Sequence, residues 1–529
     1  MTQIDTVPLL FLDFQTNGHS PHNHEITEIG WSILKGNEAK VSWSLIRIEG
    51  TIPKRVTKLT GVSQNDCDET GKNLQEVWQT ILDSCPWPTI PCIVHYSRFE
   101  ASFAKNLPHS EKLHFYCTHK MAKNLLPQLP SKSLRSVAGY LGFPIEELKR
   151  SEHHILATLH IWHHFKRLLF AQNIIHLSQL DTWLIHTKPS KEKAPKTFAL
   201  SKEDRLAIPP KPGVYRMLNS RGETIYIGKA KNLRSRVNSY FRGQKSKGSR
   251  LNELISIIHQ VKTEPLPTAT HAAISEVQLI KKHKPFYNIA MKERSRQTYY
   301  LDQQFLPGLI TDRHGPISGD SHFIDRLQDV IKALTEGNLI NTYEYGPSEE
   351  LILQASALFH AKYGYFNTRP ELWRLVIRLH SDSITNKQSE QDSEPTGEDE
   401  FEDEPEGYTT ETALLYMEKT LASLGYKLHR ARWLKRIANS HLVWKESNQW
   451  HQIVIRQDNI NWSHHPIQPV IKWQSQSQST LWTDPQIYSV IKTEMQRLIT
   501  ETDDIFFYYH SGNPLDKSQI LRHIFPELT

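Results

Sequence analysis

Residues 212–241 read PGVYRMLNSRGETIYIGKAKNLRSRVNSYF, and this stretch decides how the middle of the chain is interpreted. Gly-Val-Tyr at 213–215 and Ile-Tyr-Ile-Gly at 225–228 flank the turn-forming residues Asn-Ser-Arg-Gly at 219–222. This pattern predicts a β-hairpin with a glycine-containing loop. The segment 229–241 that follows predicts a short helix carrying both basic and aromatic side chains.

A second helix is predicted by residues 273–284, which read AISEVQLIKKHK and place Glu276 near the start. Pro285 ends this helix, and Phe-Tyr-Asn follows at 286–288. The hairpin, the arginine-bearing helix, the glutamate and the Pro-Phe-Tyr-Asn ending occur in the order and at the spacing of a GIY-YIG nuclease domain. The segment resembles the domain of the excinuclease subunit UvrC and its single-domain relative Cho. The resemblance implies the same small α/β fold.

The side chains of this segment suit phosphodiester hydrolysis, which needs a positioned water, a clamp on the charged transition state and help for the leaving oxygen. Glu276 is the one carboxylate of the motif, so it suits a single hard cation, Mg²⁺ or Mn²⁺, that keeps several waters. Arg236 can hold a phosphate oxygen through its planar fork. Tyr215 or Tyr226 can take a proton from water if Lys229 and the metal lower its pKa. The resemblance implies both tyrosines, and the residues leave the choice of base open.

Two more side chains complete the predicted catalytic set. Tyr240 is expected to contact phosphate or to orient Arg236, and Asn288 is expected to brace the site through hydrogen bonds. The alternative interpretation is that Tyr226 only packs on an alternating strand and that Lys229 is only solvated. That interpretation leaves unexplained why all seven positions carry the residue type of the family.

Positive charge is concentrated in this part of the chain. The whole chain has a net charge of +6, but residues 201–300 hold 20 Lys or Arg and 7 Asp or Glu, a net charge of +13. Such a density favours contacts with a phosphate backbone. Because no base-reading helix is evident, we expect cutting directed by structure or lesion rather than by sequence. The side chains predicted to bind DNA are Lys231, Arg234, Arg242, Lys245, Lys247 and Arg250.

Motifs near the N-terminus indicate a second nuclease-like domain. Residues 11–18 read FLDFQTNG, residues 25–34 read EITEIGWSIL and residues 59–63 read LTGVS. These stretches resemble the opening of the DEDDh exonuclease family, which includes the proofreading subunit of bacterial DNA polymerase III. VHYSRFE at 94–100 and HHILAT at 153–158 occupy the places of its second and third motifs. The resemblance implies an RNase H-like αβα fold in which four carboxylates hold two metal ions and a histidine activates water.

The carboxylates of that pattern are incomplete. Gln15 and Thr158 are neutral where the family has acidic residues, and His154 beside His153 leaves the alignment open by one residue. Two metal ions about 4 Å apart need several anionic oxygens to offset their charge. We therefore predict that this domain keeps the fold and has lost most or all exonuclease activity. The residues of the degenerate exonuclease site are Asp13, Gln15, Glu100, His153 and Thr158.

The periodicity of apolar residues predicts the secondary structure around these motifs. Strands are predicted over 8–14, 26–34, 41–48 and 90–95, and helices over 73–84, 99–107, 134–141 and 153–170. Beyond residue 301, helices are predicted over 322–335, 348–363, 412–424 and 487–500. A weak alternation marks 372–380, and a hairpin is predicted over 441–457.

The chain is expected to be an α/β protein of several domains, since roughly 100–200 residues per domain gives about three domains in 529 residues. Residues 388–408 hold 10 acidic residues and no basic one, which predicts a disordered spacer or, alternatively, a mimic of a nucleic-acid backbone. The predicted order is a degenerate DEDDh exonuclease-like domain at 1–186, a linker at 187–204, the GIY-YIG domain at 205–300, a mainly helical region at 301–387, the acidic linker at 388–408 and a mixed α/β region at 409–529.

Composition excludes several classes of protein. The sequence contains no run of 18 or more apolar residues, so no transmembrane helix is predicted. The N-terminus lacks the basic and apolar regions of a secretory signal. Four cysteines are too few for a disulfide scaffold. We expect a cytoplasmic bacterial protein whose partners are DNA and excision-repair or replication proteins, with no membrane and no small-molecule cofactor.

Three functions are compatible with these motifs. The first is a metal-dependent DNA endonuclease that nicks damaged or structured DNA in nucleotide excision repair. The second is a catalytically inactive DNA-binding adaptor, against which the complete tyrosine, arginine and glutamate set argues. The third is a 3′–5′ exonuclease that the GIY-YIG domain only targets, against which Gln15 and Thr158 argue.

Overall fold

The computed structural model describes residues 3–146, 148–186, 198–242, 248–288, 297–301, 307–308, 314–319, 321–337, 347–365, 371–379, 408–437, 440–455, 460–461, 485–509 and 514–525. The chain divides into two compact units, one of residues 1–272 and 282–290 and one of residues 273–281 and 291–529. The described residues of the first unit form an N-terminal part, residues 3–186, and a hairpin part, residues 198–272 and 282–288.

A five-stranded sheet in the order β3-β2-β1-β4-β5 forms the centre of the N-terminal part. β1, β2 and β3 pair antiparallel, whereas β1, β4 and β5 pair parallel. This mixed sheet with helices packed on it is the RNase H-like fold that the motifs predict. Its strands are β1 (Leu9–Thr16), β2 (Ile26–Lys35), β3 (Glu38–Leu45), β4 (Ile90–Val94) and β5 (Leu113–Cys117).

Both faces of β1 are covered, which explains its nearly continuous apolar run. Leu9 and Phe11 pack in one apolar cluster with residues 155–169 of a long helix, and Leu10 and Leu12 pack in a second cluster on the opposite face. Because side chains alternate along a strand, Asp13 points to the same face as Leu9 and Phe11.

The helices predicted over 73–84, 99–107, 134–141 and 153–170 lie close to those positions, and four further helices beside them were not predicted. The Asn73 side chain accepts hydrogen bonds from the Gln75 and Glu76 amides and is the N-cap of the third helix. The helices are α1 (Lys54–Thr60), α2 (Gln64–Thr70), α3 (Leu74–Asp83), α4 (Ser97–Ala104), α5 (Thr118–Leu125), α6 (Leu134–Tyr140), α7 (Ser151–Ala171) and α8 (Leu177–His186).

The hairpin part contains a three-stranded antiparallel sheet in the order β7-β6-β8, with strands β6 (Gly213–Leu218), β7 (Thr224–Ala230) and β8 (Gln260–Pro265). The predicted β6–β7 hairpin is confirmed. The predicted helix over 273–284 begins four residues earlier. The helices between residues 198 and 288 are α9 (Lys202–Ala207), α10 (Leu233–Phe241), α11 (Ser249–Ile257) and α12 (Ala269–His283), and residues 273–281 of α12 belong to the second unit.

The second unit contains two further sheets, in the orders β10-β9-β11 and β14-β13-β12-β15. Residues 371–379, where the sequence alternates weakly, form a helix, α15, and Leu372, Leu375 and Val376 pack at helical spacing into an apolar cluster. The other elements are β9 (Gln297–Leu301), β10 (Pro307–Gly308), β11 (His314–Gly319), α13 (Ser321–Thr335), α14 (Glu349–Tyr363), α16 (Thr410–Ile437), β12 (Ser440–Glu446), β13 (Gln449–Ile455), β14 (Ile460–Asn461), α17 (Pro485–Glu501), β15 (Ile505–Tyr509) and α18 (Lys517–Ile524).

Some predictions fall outside the described residues. These include residues 187–197 of the first predicted linker and residues 388–407 of the acidic one. All four cysteines are buried and reduced. Among the described helices, none is both long and apolar enough to cross a membrane.

Candidate active sites

Three tyrosines of the hairpin part meet beside one arginine. Tyr215 on β6, Tyr226 on β7 and Tyr240 on α10 form a triangle whose ring centroids are 6.2, 6.1 and 6.3 Å apart. The hydroxyl oxygens of Tyr215 and Tyr240 lie 2.7 Å apart and share a hydrogen bond. The Arg236 guanidinium lies 5.2 Å from the centre of the Tyr240 ring, a cation–π contact. Four residues of the predicted catalytic set are therefore neighbours.

Tyr215 and Tyr226 differ in exposure. Tyr215 is 1% exposed, whereas Tyr226 is half-buried. Burial raises the pKa of Tyr215, the adjacent Tyr240 and Tyr226 hydroxyls raise it further, and these effects outweigh the hydrogen bond from Arg236, which lowers it. Tyr215 is therefore held as a neutral phenol, which suits a hydrogen-bond donor better than a base.

Strand β7 passes close to the Tyr215 ring at Gly228. A Cβ atom at position 228 would stand 2.4 Å from the Tyr215 hydroxyl oxygen and 2.5 Å from its Cζ. Such distances are far inside van der Waals contact, so only glycine lets the ring lie against the β7 backbone. The glycine of the Tyr-Ile-Gly motif thus has a packing role in placing a tyrosine of the neighbouring strand.

The segment after α12 is hydrogen-bonded along β7. Asn288 Oδ1 accepts from the Ile227 amide and Asn288 Nδ2 donates to the Ile227 carbonyl, each at 2.9 Å. The Tyr287 amide donates to the Ile225 carbonyl at 3.0 Å. These bonds hold the residues on both sides of Tyr226, and they are of the bracing kind predicted for Asn288.

Two of the arginines predicted to bind DNA also make contacts within the protein. Arg234 Nε donates to the Ile208 carbonyl at 2.7 Å, ahead of β6. The Arg250 guanidinium lies 5.7 Å from the centre of the Tyr287 ring and donates to the Tyr287 carbonyl at 3.4 Å. Sequence spacing gave no sign of these contacts, because their partners are distant along the chain.

The other predicted residues of this region lie in several settings. Glu276 lies in the middle of α12 and is half-buried. Lys245 and Lys247 lie outside the described residues. The exposed basic side chains of the set are Lys229, Lys231, Arg234, Arg236, Arg242 and Arg250.

A second polar cluster lies where β1 meets α7. The Asp13 carboxylate accepts a hydrogen bond from Gln15 Nε2 at 3.1 Å and one from His154 Nδ1 at 3.2 Å. Gln15 Nε2 also lies 3.1 Å from His154 Nδ1. Burial lowers the pKa of His154, but the charge of Asp13 and the hydrogen bond to it outweigh burial and raise that pKa above its usual value. His154 is thus suited to share a proton with Asp13.

Glu100 completes this cluster from α4. Its side chain is 4% exposed, and its Oε2 accepts a hydrogen bond from the Phe14 amide at 3.1 Å. Burial and then the charge of Asp13 raise the pKa of Glu100 well above its usual value, against the lowering effect of the Phe14 bond. The Glu100 carboxyl is consequently biased towards its neutral form.

The structure shows which of the two adjacent histidines of the third motif lies beside Asp13. His154, and not the predicted His153, reaches Asp13, because α7 begins at Ser151 and turns position 154 towards β1. The Thr158 hydroxyl donates to the His154 carbonyl at 2.8 Å, within the helix backbone. The sequence signal for His154 was only that it stands next to another histidine.

A pair of metal ions does not fit these residues. Asp13 is hydrogen-bonded to Gln15 and His154, both of which present nitrogen, and Glu100 is the one other carboxyl of the predicted site. Within the described ranges, no group of three or more His, Cys, Asp or Glu side chains is arranged to hold a metal ion.

Comparisons with known proteins match two parts of the chain. Residues 10–157 match the family model described as exonuclease, and residues 211–289 match the UvrC-like GIY-YIG domain. UvrABC system protein C of Clostridium acetobutylicum is 37% identical over 119 residues, which are 22% of this chain and 19% of that protein. The Clostridium novyi protein of the same name is 45% identical over 86 residues, 16% of this chain and 14% of that protein. The matched segment thus spans about a fifth or less of the length of these curated relatives.

Solved structures were found for the same two parts. The magnesium-bound GIY-YIG N-terminal endonuclease domain of UvrC from Thermotoga maritima is 34% identical and covers 17% of this chain and 94% of that one, with a TM-score of 0.15. Exonuclease X in complex with 5′ overhanging duplex DNA is 15% identical and covers 33% and 98%, with a TM-score of 0.26. Together with the family models, the described sheets and motifs assign this chain an RNase H-like exonuclease-family domain at residues 10–157 and a UvrC-like GIY-YIG nuclease domain at residues 211–289.

Proposed function

We propose that this protein is a metal-dependent DNA endonuclease that nicks damaged or structured DNA in nucleotide excision repair, and that its GIY-YIG domain makes the cut. The observation that carries the proposal is the contact between Tyr215, Tyr226, Tyr240 and Arg236 in that domain. Polar groups gathered at one place, with a cation beside them, can align water and stabilise the charge of a phosphodiester transition state.

Glu276 is proposed to hold one Mg²⁺ or Mn²⁺ ion. The donor set fits such an ion, because Mg²⁺ binds through one or two carboxylates and keeps several waters. The bound ion supplies Lewis-acid stabilisation of phosphate oxygens and a more acidic water. The hydrogen bond to Tyr215 raises the pKa of Arg236, so its guanidinium remains charged and available to a non-bridging phosphate oxygen.

Tyr226 is the better of the two tyrosines for the role of general base. Tyr215 is almost fully buried and burial raises its pKa, whereas Tyr226 is half-buried. In the proposed mechanism Tyr226 acts as a phenolate that accepts a proton from water, and the positive charge of Lys229 is proposed to assist. Tyr215 and Tyr240 hold each other and orient Arg236, and Asn288 fixes the β7 backbone beside Tyr226.

The exposed basic side chains Lys231, Arg234, Arg242 and Arg250, with Lys245 and Lys247, are proposed to bind the DNA backbone. Their charges suit phosphates without selecting a base sequence. The proposed setting is the bacterial cytoplasm, with proteins of excision repair or replication as partners. The N-terminal domain is proposed to lack exonuclease activity, since its carboxylates are occupied by internal hydrogen bonds.

The test is a nicking assay on end-labelled duplexes, with and without a bulky lesion, in Mg²⁺ or Mn²⁺. The wild-type chain is compared with Glu276→Gln, Asp13→Asn and Glu264→Gln, the last a matched exposed glutamate on β8. We expect Glu276→Gln to lower the nicking rate by about 10³-fold and the other two to leave it unchanged.

Other outcomes contradict the proposal in identifiable ways. If wild-type protein binds DNA without nicking it, the inactive adaptor is the better description. Products shortened progressively from the 3′ end, and lost in Asp13→Asn, would establish the targeted exonuclease. Equal nicking by Glu276→Gln would remove Glu276 from the metal site.

A further inference from the structure

The N-terminal part and the hairpin part of the first unit share an interface centred on Glu253 of α11. Its Oε1 accepts a hydrogen bond from the Tyr287 hydroxyl at 3.0 Å and lies 3.6 Å from an Arg135 amino group. Its Oε2 accepts from the Ser133 hydroxyl at 3.1 Å. Glu253 is 17% exposed and Arg135 is 28% exposed, so the pair is largely shielded from water. One carboxylate therefore binds the N-terminal part on one side and Tyr287 on the other.

Arg135 reaches the same segment of the hairpin part by a second route. Its guanidinium lies 5.1 Å from the centre of the Phe286 ring, and its other amino group donates to the Leu148 carbonyl at 2.8 Å. The second bond anchors Arg135 in the N-terminal part. The guanidinium thus contacts both Glu253 and Phe286 from a fixed position.

Close packing surrounds these polar contacts. A Cβ atom at Gly139 of α6 would stand 2.9 Å from Ile145 Cγ2 and 3.0 Å from Ile257 Cδ1 of α11, so the two helices approach at a residue without a side chain. The Ser131 amide donates to the Ser256 hydroxyl at 3.0 Å. Apolar residues of both parts belong to one continuous buried cluster. Such packing transmits displacements, because well-packed interiors deform little.

The segment held by Glu253 and Arg135 is the one that pairs with β7. Tyr287 is 5% exposed, and its amide bonds to Ile225, while Asn288 bonds to Ile227 through both ends of its side chain. Tyr226 lies between Ile225 and Ile227, whose backbone groups these bonds hold. A continuous series of contacts therefore leads from Arg135, through Glu253 and Tyr287, to the backbone that carries Tyr226.

We propose that the degenerate exonuclease domain serves as a scaffold for the nuclease site, in which Arg135 and Glu253 are positioning residues that fix Tyr226 through Tyr287 and Asn288. This inference rests on the proposed nicking function for its catalytic consequence. It gives the N-terminal domain a role that needs no metal ion and no exonuclease chemistry.

The test uses the full chain with two pairs of variants. Arg135→Met removes the charge and the fork, and Arg221→Met is its control, because Arg221 pairs with Glu223 in the β6–β7 loop outside this series. Tyr287→Phe removes the hydroxyl that binds Glu253, and Tyr116→Phe is its control, because Tyr116 donates to Asp181 within the N-terminal part. Arg135→Lys tests rescue by the charge without the planar fork.

Hydrogen exchange provides a measurement that does not depend on activity. We expect Arg135→Met and Tyr287→Phe to speed amide exchange in peptides covering 224–230 and 285–288, because the Ile227 amide is protected by Asn288. The control variants should leave these peptides unchanged, and Arg135→Lys should show an intermediate effect. Unchanged exchange in both test variants overturns the coupling, whether or not the protein nicks DNA.

Nicking kinetics then test the catalytic consequence. A displaced catalytic group lowers kcat more than it weakens binding, so we expect kcat to fall about tenfold in both test variants with KM nearly constant. Faster exchange with an unchanged kcat overturns the positioning role. Wild-type protein that does not nick overturns the proposed function, and exchange still decides the coupling.

Discussion

The two candidate sites of the first unit differ in the residues that surround their polar groups. The Asp13 carboxylate accepts hydrogen bonds from Gln15 and His154, and the Glu100 carboxyl accepts one from the Phe14 amide. Around Tyr226, the neighbours fix the backbone and the adjacent tyrosines while the side chain stays half-buried. The comparison teaches that a retained fold says little about activity until the exposure and the neighbours of each polar group are known.

Among the predictions that compare side chains within the first unit, the largest expected effect is the difference in kcat between variants of Tyr226 and Tyr215. Tyr226→Phe should lower kcat for nicking by about 10²-fold or more, because it removes the proposed base. Tyr215→Phe should cost about tenfold, since Tyr215 is buried with a raised pKa and is proposed to act only through Tyr240 and Arg236. The measurement is single-turnover nicking as a function of pH.

The pH profile distinguishes a base from an orienting group. The rise of rate with pH should persist in Tyr215→Phe and disappear in Tyr226→Phe. Tyr240→Phe is the internal comparison, because it removes the hydroxyl that shares a hydrogen bond with Tyr215. The reverse pattern, with the rise lost in Tyr215→Phe, would transfer the base role to the buried tyrosine.

The second prediction concerns whether added carboxylates can restore metal binding at the Asp13 cluster. Gln15→Glu combined with His154→Asp should replace both nitrogen-bearing neighbours of Asp13 with carboxylates and raise Mn²⁺ affinity by about 10–100-fold. Calorimetric titration measures the gain. The competing variant is Gln15→Glu with Thr158→Asp, which places the second carboxylate at the position where the resemblance implies an acidic residue. A larger gain in this second variant would show that Thr158, not His154, stands at the missing ligand position.

Sequence patterns predicted the sheet, the hairpin and most helices because their causes are local. The Asn73 cap and the Gly-containing β6–β7 loop each depend on a few neighbouring residues. The type of element at residues 371–379 stayed open, since a weak alternation over nine residues cannot be told from a helix whose packing partners lie elsewhere.

Only part of each candidate site could be predicted from the sequence. The GIY-YIG motif fixed which residue types are present, but burial decides that Tyr215 and Tyr226 differ, and burial depends on residues far along the chain. The place of His154 depends on where α7 starts and on its rotation against β1. The interface at Glu253 joins residues more than 100 positions apart along the chain, so no local sequence pattern predicts it.

The third prediction concerns the close approach at Gly228. Gly228→Ala should lower kcat for nicking roughly tenfold and cost about 1–3 kcal/mol of stability, because the new Cβ must displace the Tyr215 ring. Gly248→Ala is the control, since a Cβ there meets nothing within 4 Å. Kinetics and thermal unfolding of both variants check the expectation. Full activity of Gly228→Ala would mean that the Tyr215 position is unimportant for the cut.

The smallest expected effect probes the other site through Glu100. Its pKa is raised in the folded protein, so the folded state keeps the proton longer than the unfolded chain. The stabilisation is complete below the usual pKa of glutamate and is lost as pH rises through the raised value. Above the usual pKa of glutamate, burying Glu100 therefore opposes folding, because the folded state must either take up a proton or keep a poorly solvated charge.

Glu100→Gln should remove the free-energy cost of burying an ionisable group, and it keeps an oxygen that accepts a hydrogen bond from the Phe14 amide. We expect slower exchange of the β1 amides at pH 7.5, by an amount equivalent to about 1 kcal/mol, and a flatter dependence on pH. Glu111→Gln, at an exposed glutamate of the same part, should change neither. If Glu100→Gln instead speeds exchange, and Mn²⁺ protects only the wild-type chain, then Glu100 still binds metal and the contrast between the two sites is smaller than proposed.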